Sequence, residues 1–351
     1  MASGRALGRS CTIAAGVNGA SVGSRSPASG RSRDLTLDVV VPAHEAETTI
    51  GACLDALVAA GFPPERIVVV DDGSADRTGD IAKSRGTQVL RNDTPARPAN
   101  ARNQGAAAAS GDGILFVDAD VLVHCDVRAR ILHCLGDPSI DGVIGAYDDA
   151  PGSETVVGRY RNLLHCHTHR QAAGQVPTFW TGLGAIRKAA FDHAGGFLKE
   201  WENIEDVEFG LKVTAEGGTI VLDPGIMGKH LKDWTLFTMF RTDMNGRAVP
   251  WTKLLISGRM PRGVLSTTWD KRVSAAAVAL AVLSLPLALV WPAALLLTAI
   301  CGAVFTAANA DLIRFLATQG GRSFAVQAVI LHALHHLAAV LGYLKARLRI
   351  G

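Results

Sequence analysis

The chain has 351 residues, 48% of them apolar, with 35 Lys and Arg against 32 Asp and Glu. It is too rich in apolar side chains to be disordered and long enough to bury a full core with residues to spare. The net charge of +3 is a cancellation: +4 over residues 1–34, −10 over 35–240, +5 over 241–272 and +4 over 273–351. An acidic body with basic flanks excludes a simple nucleic-acid binder, whose cations belong on the folded domain itself. Six cysteines without a C-x-x-C pair exclude a disulfide framework and a zinc ribbon.

Residues 1–34 are mostly Gly, Ser, Ala and Arg and lack the apolar run of a secretory signal, so a disordered tail is expected there. From Leu37 short β-branched runs alternate with Ala-rich helical windows. Strands are expected at 38–41, 66–70, 88–90 and 114–117, and helices over 46–60, 76–85, 99–109 and 154–171. This alternation predicts an α/β domain over 35–240, with a mainly parallel sheet flanked by helices and ligands beyond the carboxyl ends of its strands.

Residues 241–272 interleave seven basic side chains with Trp251, Leu254, Leu255, Ile256 and Trp269, the pattern of a segment lying on an anionic membrane surface. No charged side chain occurs from Val273 to Ala310, and Trp291-Pro292 interrupts that stretch. At about 1.5 Å per residue it is too long for one ~30 Å crossing, which predicts a transmembrane hairpin over 273–310. Residues 311–351 are expected to form an amphipathic or third membrane helix with a basic end, His332 and His336 being the polar stripe of an interfacial helix. Lys271, Arg272, Arg314, Arg322, Lys345, Arg347 and Arg349 all fall on one side if the hairpin makes two crossings. The positive-inside rule makes that side the cytoplasm of an inner (plasma) membrane.

Three acidic groups end or follow predicted strands: Asp71-Asp72, Asp118-Ala119-Asp120 and Glu205-Asp206. One aspartate at a strand end is often only an N-cap; three groups in one sheet weaken that reading. Residues two apart on a strand point the same way, so Asp118 and Asp120 can share one divalent ion or one sugar phosphate. Oxygen ligands suit Mg²⁺ or Mn²⁺. In His165-Cys166-His167-Thr168-His169 the helical period separates residues two apart, which argues against a zinc cluster there.

Five motifs stand in the order seen in family 2 glycosyltransferases of the GT-A fold: Val41-Pro42-Ala43-His44-Glu45, Val70-Asp71-Asp72-Gly73-Ser74, Ala101-Arg102-Asn103-Gln104-Gly105, Asp118-Ala119-Asp120 and Glu205-Asp206. Over about 37–235 the chain resembles that family, with a membrane tail like those of many bacterial members. The resemblance implies a nucleotide-diphospho-sugar donor over the first half of the sheet. Pro42, Ala43 and Glu45 would line the base and ribose pocket, Asp72 would accept a hydrogen bond from the base, and Arg102 would lie near the base or diphosphate. Asp118 would meet the ribose or the metal, and Asp120 and His230 would ligate Mg²⁺ or Mn²⁺. Asp206, with Glu205 beside it, would be the catalytic base of an inverting transfer.

The expected function is therefore metal-dependent, inverting transfer of a sugar to a lipid-linked or membrane-proximal acceptor, with a lipid or polyprenyl phosphate fitting the membrane geometry. A processive polysaccharide synthase would need a many-helix channel and a Q-x-x-R-W motif, of which Arg247-Ala248-Val249-Pro250-Trp251 is a loose echo. A catalytically inactive nucleotide-sugar-binding membrane scaffold is the other alternative, and the intact Asp120 and Asp206 argue against it.

Overall fold

The computed structural model describes residues 35–201, 203–259 and 268–350. The expected tail at 1–34 and Arg262 of the basic flank lie outside the described residues.

The first half of the chain lays down β1 (Leu37–Ala43), β2 (Ile67–Asp71), β3 (Gln88–Arg91) and β4 (Gly113–Val117) as a parallel set in the order β3-β2-β1-β4. β2 and β4 are buried along their whole length and β1 nearly so, which is why their sequences are apolar runs instead of alternating ones. Helix α1 (Ile50–Ala59) covers one face of the sheet with Ile50, Cys53, Leu54 and Leu57. Helices α2 (Thr78–Ser84) and α3 (Pro98–Ala108) complete the crossovers. α3 lies so close to the sheet that a Cβ on Gly105 would come within 2.3 Å of Val40 Cγ1, so the last residue of the third motif is a packing requirement.

The second half departs from a parallel sheet. β5 (Val121–Val123), α4 (Val127–Leu135), β6 (Gly142–Tyr147), α5 (Val156–Gln171), β7 (Gly174–Val176), β8 (Leu183–Arg187), α6 (Lys188–His193), α7 (Glu205–Ala215) and β9 (Ile220–His230) follow. β8 inserts antiparallel between β4 and β6, and β9 pairs parallel with β6 but antiparallel with β5 and β7. The sheet is thus mixed: parallel in the βαβ half from β3 to β4, and antiparallel where β8, β5 and β7 join it through long connections. Phe116, Phe179, Phe191, Phe197 and Phe209 pack edge to face or tilted on one side of it, with centroids 4.8–6.3 Å apart. Truncating one of these rings to Ala removes about 3–5 kcal/mol.

Beyond the sheet come α8 (Leu236–Arg241), a π-helical turn (Thr242–Ala248) and α9 (Val249–Ile256). The basic flank is therefore folded onto the domain: Leu254 is buried with Ile204 and Leu211, while Asp243 pairs with Arg161 at 3.0 Å. α10 (Trp269–Leu287) and α11 (Ala294–Ala308) form a helical hairpin around Trp291-Pro292, joined by a Ser284 Oγ to Thr298 Oγ1 hydrogen bond of 2.7 Å. α12 (Ala310–Ile350) is broken at Gly321, whose φ of 78° no helix accommodates.

Among the described residues one helix, Ala310–Leu348, is long and apolar enough to cross a membrane by length and composition, an 18-residue window of it having a mean hydropathy of 1.7. That is the third segment, not the hairpin, whose α11 has 15 residues, or about 22 Å. The expectation that His332 and His336 form an exposed polar stripe needs correction, because both are buried. Tyr160 Oη and His332 Nδ1 are 2.8 Å apart, His335 Nδ1 is 2.8 Å from Asp243 Oδ2, and Lys345 Nζ donates to Asn245 Oδ1 at 2.5 Å. Turned to the domain, His332, His335 and Lys345 of α12 find hydrogen-bond partners without water, whereas His336 Nε2 is buried with none among the described residues.

Candidate active site

The carboxyl ends of β1, β2 and β4, the start of α7 and the end of β9 converge on a cavity of 1380 Å³. Every residue singled out from the sequence as a site candidate lines it: Pro42, Ala43, Glu45, Asp72, Arg102, Asp118, Asp120, Glu205, Asp206 and His230.

In the half built on β1 and β2, Asp72 Oδ1 accepts from Asn92 Nδ2 at 2.6 Å and from the Ala96 amide at 2.9 Å, which fixes the carboxylate. Its neighbour Asp71 is turned away into an ion pair with Arg91 at 2.6 Å and caps the following turn through the Ser74 amide. Glu45, at φ 51°, accepts from the Ala75 amide at 2.7 Å and donates its own amide to Ser74 Oγ at 3.0 Å. These bonds fasten the loop after β1 to the loop after β2.

Asp118 and Asp120 have different partners. Asp118 Oδ1 accepts from Arg102 Nη2 at 2.8 Å, whereas Asp120 Oδ2 lies 3.5 Å from His230 Nε2. Burial raises the Asp120 carboxyl, but the His230 ring and Lys232 outweigh it and leave the group below its ordinary value. His230 Nδ1 is 2.6 Å from Asn162 Oδ1, an acceptor, so Nδ1 carries the proton and Nε2 faces Asp120. The His230 ring is stacked on Tyr147, 4.3 Å between centroids and 8° between planes. Among the described residues no three His, Cys, Asp or Glu side chains gather as a ready-made metal cluster.

In the second half, Glu205 and Asp206 open α7, where the free amides of the first turn favour negative charge. Asp206 Oδ2 accepts from the Thr181 amide at 3.2 Å and from Thr181 Oγ1 at 3.3 Å, and Oδ1 accepts from the Val207 amide at 2.8 Å. Burial pushes Asp206 above the usual carboxylate value against the pull of Arg102. Burial and the adjacent Asp206 push Glu205 up in the same way. Arg102 Nη1 reaches Glu205 Oε1 at 2.7 Å, so this arginine bridges the two halves and its fork is already engaged by carboxylates.

His165 and His169 share one face of α5 with ring centroids 3.9 Å apart, whereas His167 points to Phe315. Burial and His169 hold His165 well below the usual imidazole value; burial, opposed by the bond to the Gly145 carbonyl, brings His169 to about 4. With Tyr147 and Trp180 they form an uncharged aromatic wall behind His230. Sequence reasoning missed Tyr147, Asn162 and Trp180. The first two come from β6 and α5, and the only available signal was an aromatic residue closing the apolar run Gly142–Tyr147.

The sequence profile of the glycosyl transferase family 2 matches residues 38–195. The chain carries a family 2 glycosyltransferase domain. A probable glycosyltransferase of Bacillus subtilis, YdaM, is 28% identical over 197 residues, covering 50% of this chain and 46% of that protein. The pre-mycofactocin glycosyltransferase of Mycobacterium tuberculosis is 28% identical over 230 residues, covering 61% of this chain and 47% of that protein. The chain thus spans about half the length of these curated relatives. In fold, the chain is similar to the mannosyltransferase PcManGT from Pyrobaculum calidifontis, solved in complex with GDP-Man and Mn²⁺. The TM-score is 0.57 at 20% identity, over 89% of this chain and 88% of that one. The glycosyltransferase domain accordingly has the GT-A fold, and the cavity lies where that fold's strands end.

Proposed function

We propose that the chain is an inverting, metal-dependent glycosyltransferase that takes a sugar from a nucleotide-diphospho-sugar and delivers it to an acceptor at a membrane surface. The observation that carries this reading is the convergence of Asp72, Asp118, Asp120, His230, Glu205 and Asp206 on one cavity of a family 2 domain.

The donor fits the half built on Pro42, Ala43, Glu45 and Asp72, whose carboxylate can accept from a nucleobase. Asp120 and His230 would hold Mg²⁺ or Mn²⁺, and Asp118 is near enough in sequence to assist at the ribose. The fit rests on the donors: a carboxylate faces an imidazole nitrogen whose partner nitrogen is committed to Asn162, so a cation between them satisfies both. Bound there, the ion would stabilise the negative charge that develops on the departing nucleoside diphosphate. The GDP-Man and Mn²⁺ held by the archaeal mannosyltransferase support a donor and metal of these classes.

Asp206 is the base. Its raised proton affinity suits it to take the acceptor hydroxyl's proton as the new bond to the anomeric carbon forms and the bond to the diphosphate breaks. A single base on the acceptor side makes this one displacement, with inversion. Glu205 Oε2 is buried with no partner among the described residues and can accept from a second acceptor hydroxyl.

The membrane part of the proposal is supported by α12. Val326, Ile330, Leu341, Leu344 and Leu348 are exposed and recur at helical spacing, opposite the face that docks on the domain. A helix held along its length by the domain suits an interfacial position better than a crossing, with α10 and α11 entering the bilayer and the catalytic domain on the cytoplasmic side of an inner (plasma) membrane.

Calorimetric titration of UDP and GDP, with and without Mn²⁺, tests the donor half. Binding that requires Mn²⁺ and weakens at least tenfold in Asp120→Asn is expected. Metal-independent binding, equal in both proteins, would contradict the metal assignment.

A further inference from the structure

The cavity does not end at the carboxylates. Past Asp206 it continues between α5, the π-helical turn, α9 and the C-terminal helices α10 and α12, and the character of its walls changes. The strand-end half is lined by Asp72, Asp118, Asp120, Glu205 and Asp206. The far lobe is lined by Arg161, Arg247, Lys271 and Arg272.

Three of these cations have partners. Arg161 pairs with Asp243 at 3.0 Å, Lys271 lies 3.4 Å from Asp270, and Arg272 lies over the Trp269 ring at 5.4 Å. Asp243, the carboxylate lining this lobe, is consumed by Arg161 and by His335 at 2.8 Å. Arg247 differs. No hydrogen bond or ion pair to the described residues holds its guanidinium, which is accessible from within the cavity. Desolvation by the cavity walls and the neighbouring Arg161 lower Arg247 to about 10 against the opposite pull of Asp243, Tyr147 and Asp206, so it remains a cation at neutral pH although its side chain is open to the cavity. A planar fork of donors left open beside another guanidinium is built for an anion that accepts several hydrogen bonds, and a phosphate does. The same lobe has apolar walls: Leu255, Ala275, Ala339 and Val340 face it from α9, α10 and α12.

We propose that this lobe binds the acceptor as a phosphorylated amphiphile, with its phosphate on Arg247 and Arg161 and its hydrocarbon along Leu255, Ala275, Ala339 and Val340. The proposal rests on the glycosyltransferase reading above and names its acceptor class. It gives the C-terminal helices a role in the site: they supply the apolar wall that a cavity made by the GT-A domain alone would lack. It also explains why α12 is fastened to the domain by four polar contacts, since the lobe exists only while that helix is docked.

Calorimetry on the full chain in neutral detergent tests it with three probes, farnesyl phosphate, farnesol and glycerol 3-phosphate, and with UDP or GDP plus Mn²⁺ on the same preparations. Farnesyl phosphate is expected to bind the wild type and to lose at least tenfold in affinity in Arg247→Gln, part of which Arg247→Lys restores. Nucleotide affinity should stay within threefold throughout. Ala339→Phe, which narrows the apolar wall and leaves every charge in place, should lose farnesyl phosphate and keep its weak glycerol 3-phosphate binding. Farnesol binding as tightly as farnesyl phosphate, or Arg247→Gln without effect, would overturn the phosphate site. Glycerol 3-phosphate matching farnesyl phosphate would overturn the amphiphile in favour of a soluble phosphorylated acceptor. A loss of nucleotide affinity in Arg247→Gln with farnesyl phosphate unaffected would assign the arginine to the donor and overturn the proposal. If farnesyl phosphate binds as described but no nucleotide does, the transfer reading fails and the anion lobe stands.

Discussion

Arg102 Nη1 donates to Glu205 Oε1 at 2.7 Å, joining α3 to the first turn of α7 across the cavity. Its other nitrogen, Nη2, holds Asp118. The arginine and the glutamate side chains are each 7% exposed, so the pair is a buried one. Removing the cation from such a pair strands its carboxylates, at a cost of about 3–5 kcal/mol. Arg102→Met should therefore melt well below the wild type in a thermal scan at neutral pH, and Arg102→Lys, which keeps charge but not the fork, should fall between them.

The proposed role of Asp206 as base predicts a pH profile. Asp206 and Glu205 are both raised by burial, so the acid limb of kcat/KM should lie above the ordinary carboxylate range of about 4 and belong to the pair. Transfer should rise with pH through that limb and fall by about 10²–10⁴-fold in Asp206→Asn at all pH values.

The same shift has a consequence for stability with a definite sign. A carboxyl that binds its proton more tightly in the folded chain contributes most below its unfolded value, and that contribution is lost as pH rises through the folded value. Asp206→Asn should thus melt higher than the wild type at pH 8, and the gap should close near pH 4. An unchanged gap across that range would show that the carboxylate is not strained by burial.

His230 is positioned by two residues that carry no charge, Asn162 through Nδ1 and Tyr147 through its ring. Loss of such an orienting contact lowers metal affinity by about 10–100-fold. Asn162→Ala and Tyr147→Leu should therefore raise the Mn²⁺ concentration needed for half-maximal nucleotide binding and leave maximal binding intact when the metal is in excess.

The exposed stripe of α12 predicts its own test. Val326→Glu together with Ile330→Glu, at positions 65% and 59% exposed, should leave the melting temperature unchanged and reduce co-sedimentation with anionic liposomes. Equal co-sedimentation would mean that the helix does not face lipid.

The first half of the fold was legible because its strands are buried on both faces and so announce themselves as Val40-Val41 and Val68-Val69-Val70, with helices between them. The antiparallel insertion of β8 was not legible, since a five-residue strand such as Leu183–Arg187 has no pattern that fixes its neighbours. Asp72, Asp118 and Asp120 followed from strand-end position, a local property, whereas Glu205 and Asp206 open α7 with no strand directly before them. Their partners did not: Arg102 meets Glu205 across 103 residues, and Tyr160 meets His332 across 172. The basic flank reads as a membrane-seating segment in composition, yet Asp243 and Arg247 turn inward, because a π-helical turn places them toward α5 and α12.

The central claim is glycosyl transfer with Asp206 as base, and the most direct measurement follows a radiolabelled sugar from UDP- and GDP-sugars into the organic-extractable fraction of membranes supplied with Mn²⁺. Label incorporated by wild type, absent after chelation and reduced at least a hundredfold in Asp206→Asn, is the predicted result. Equal incorporation by wild type and Asp206→Asn, or none by either with any donor of the panel, would contradict it.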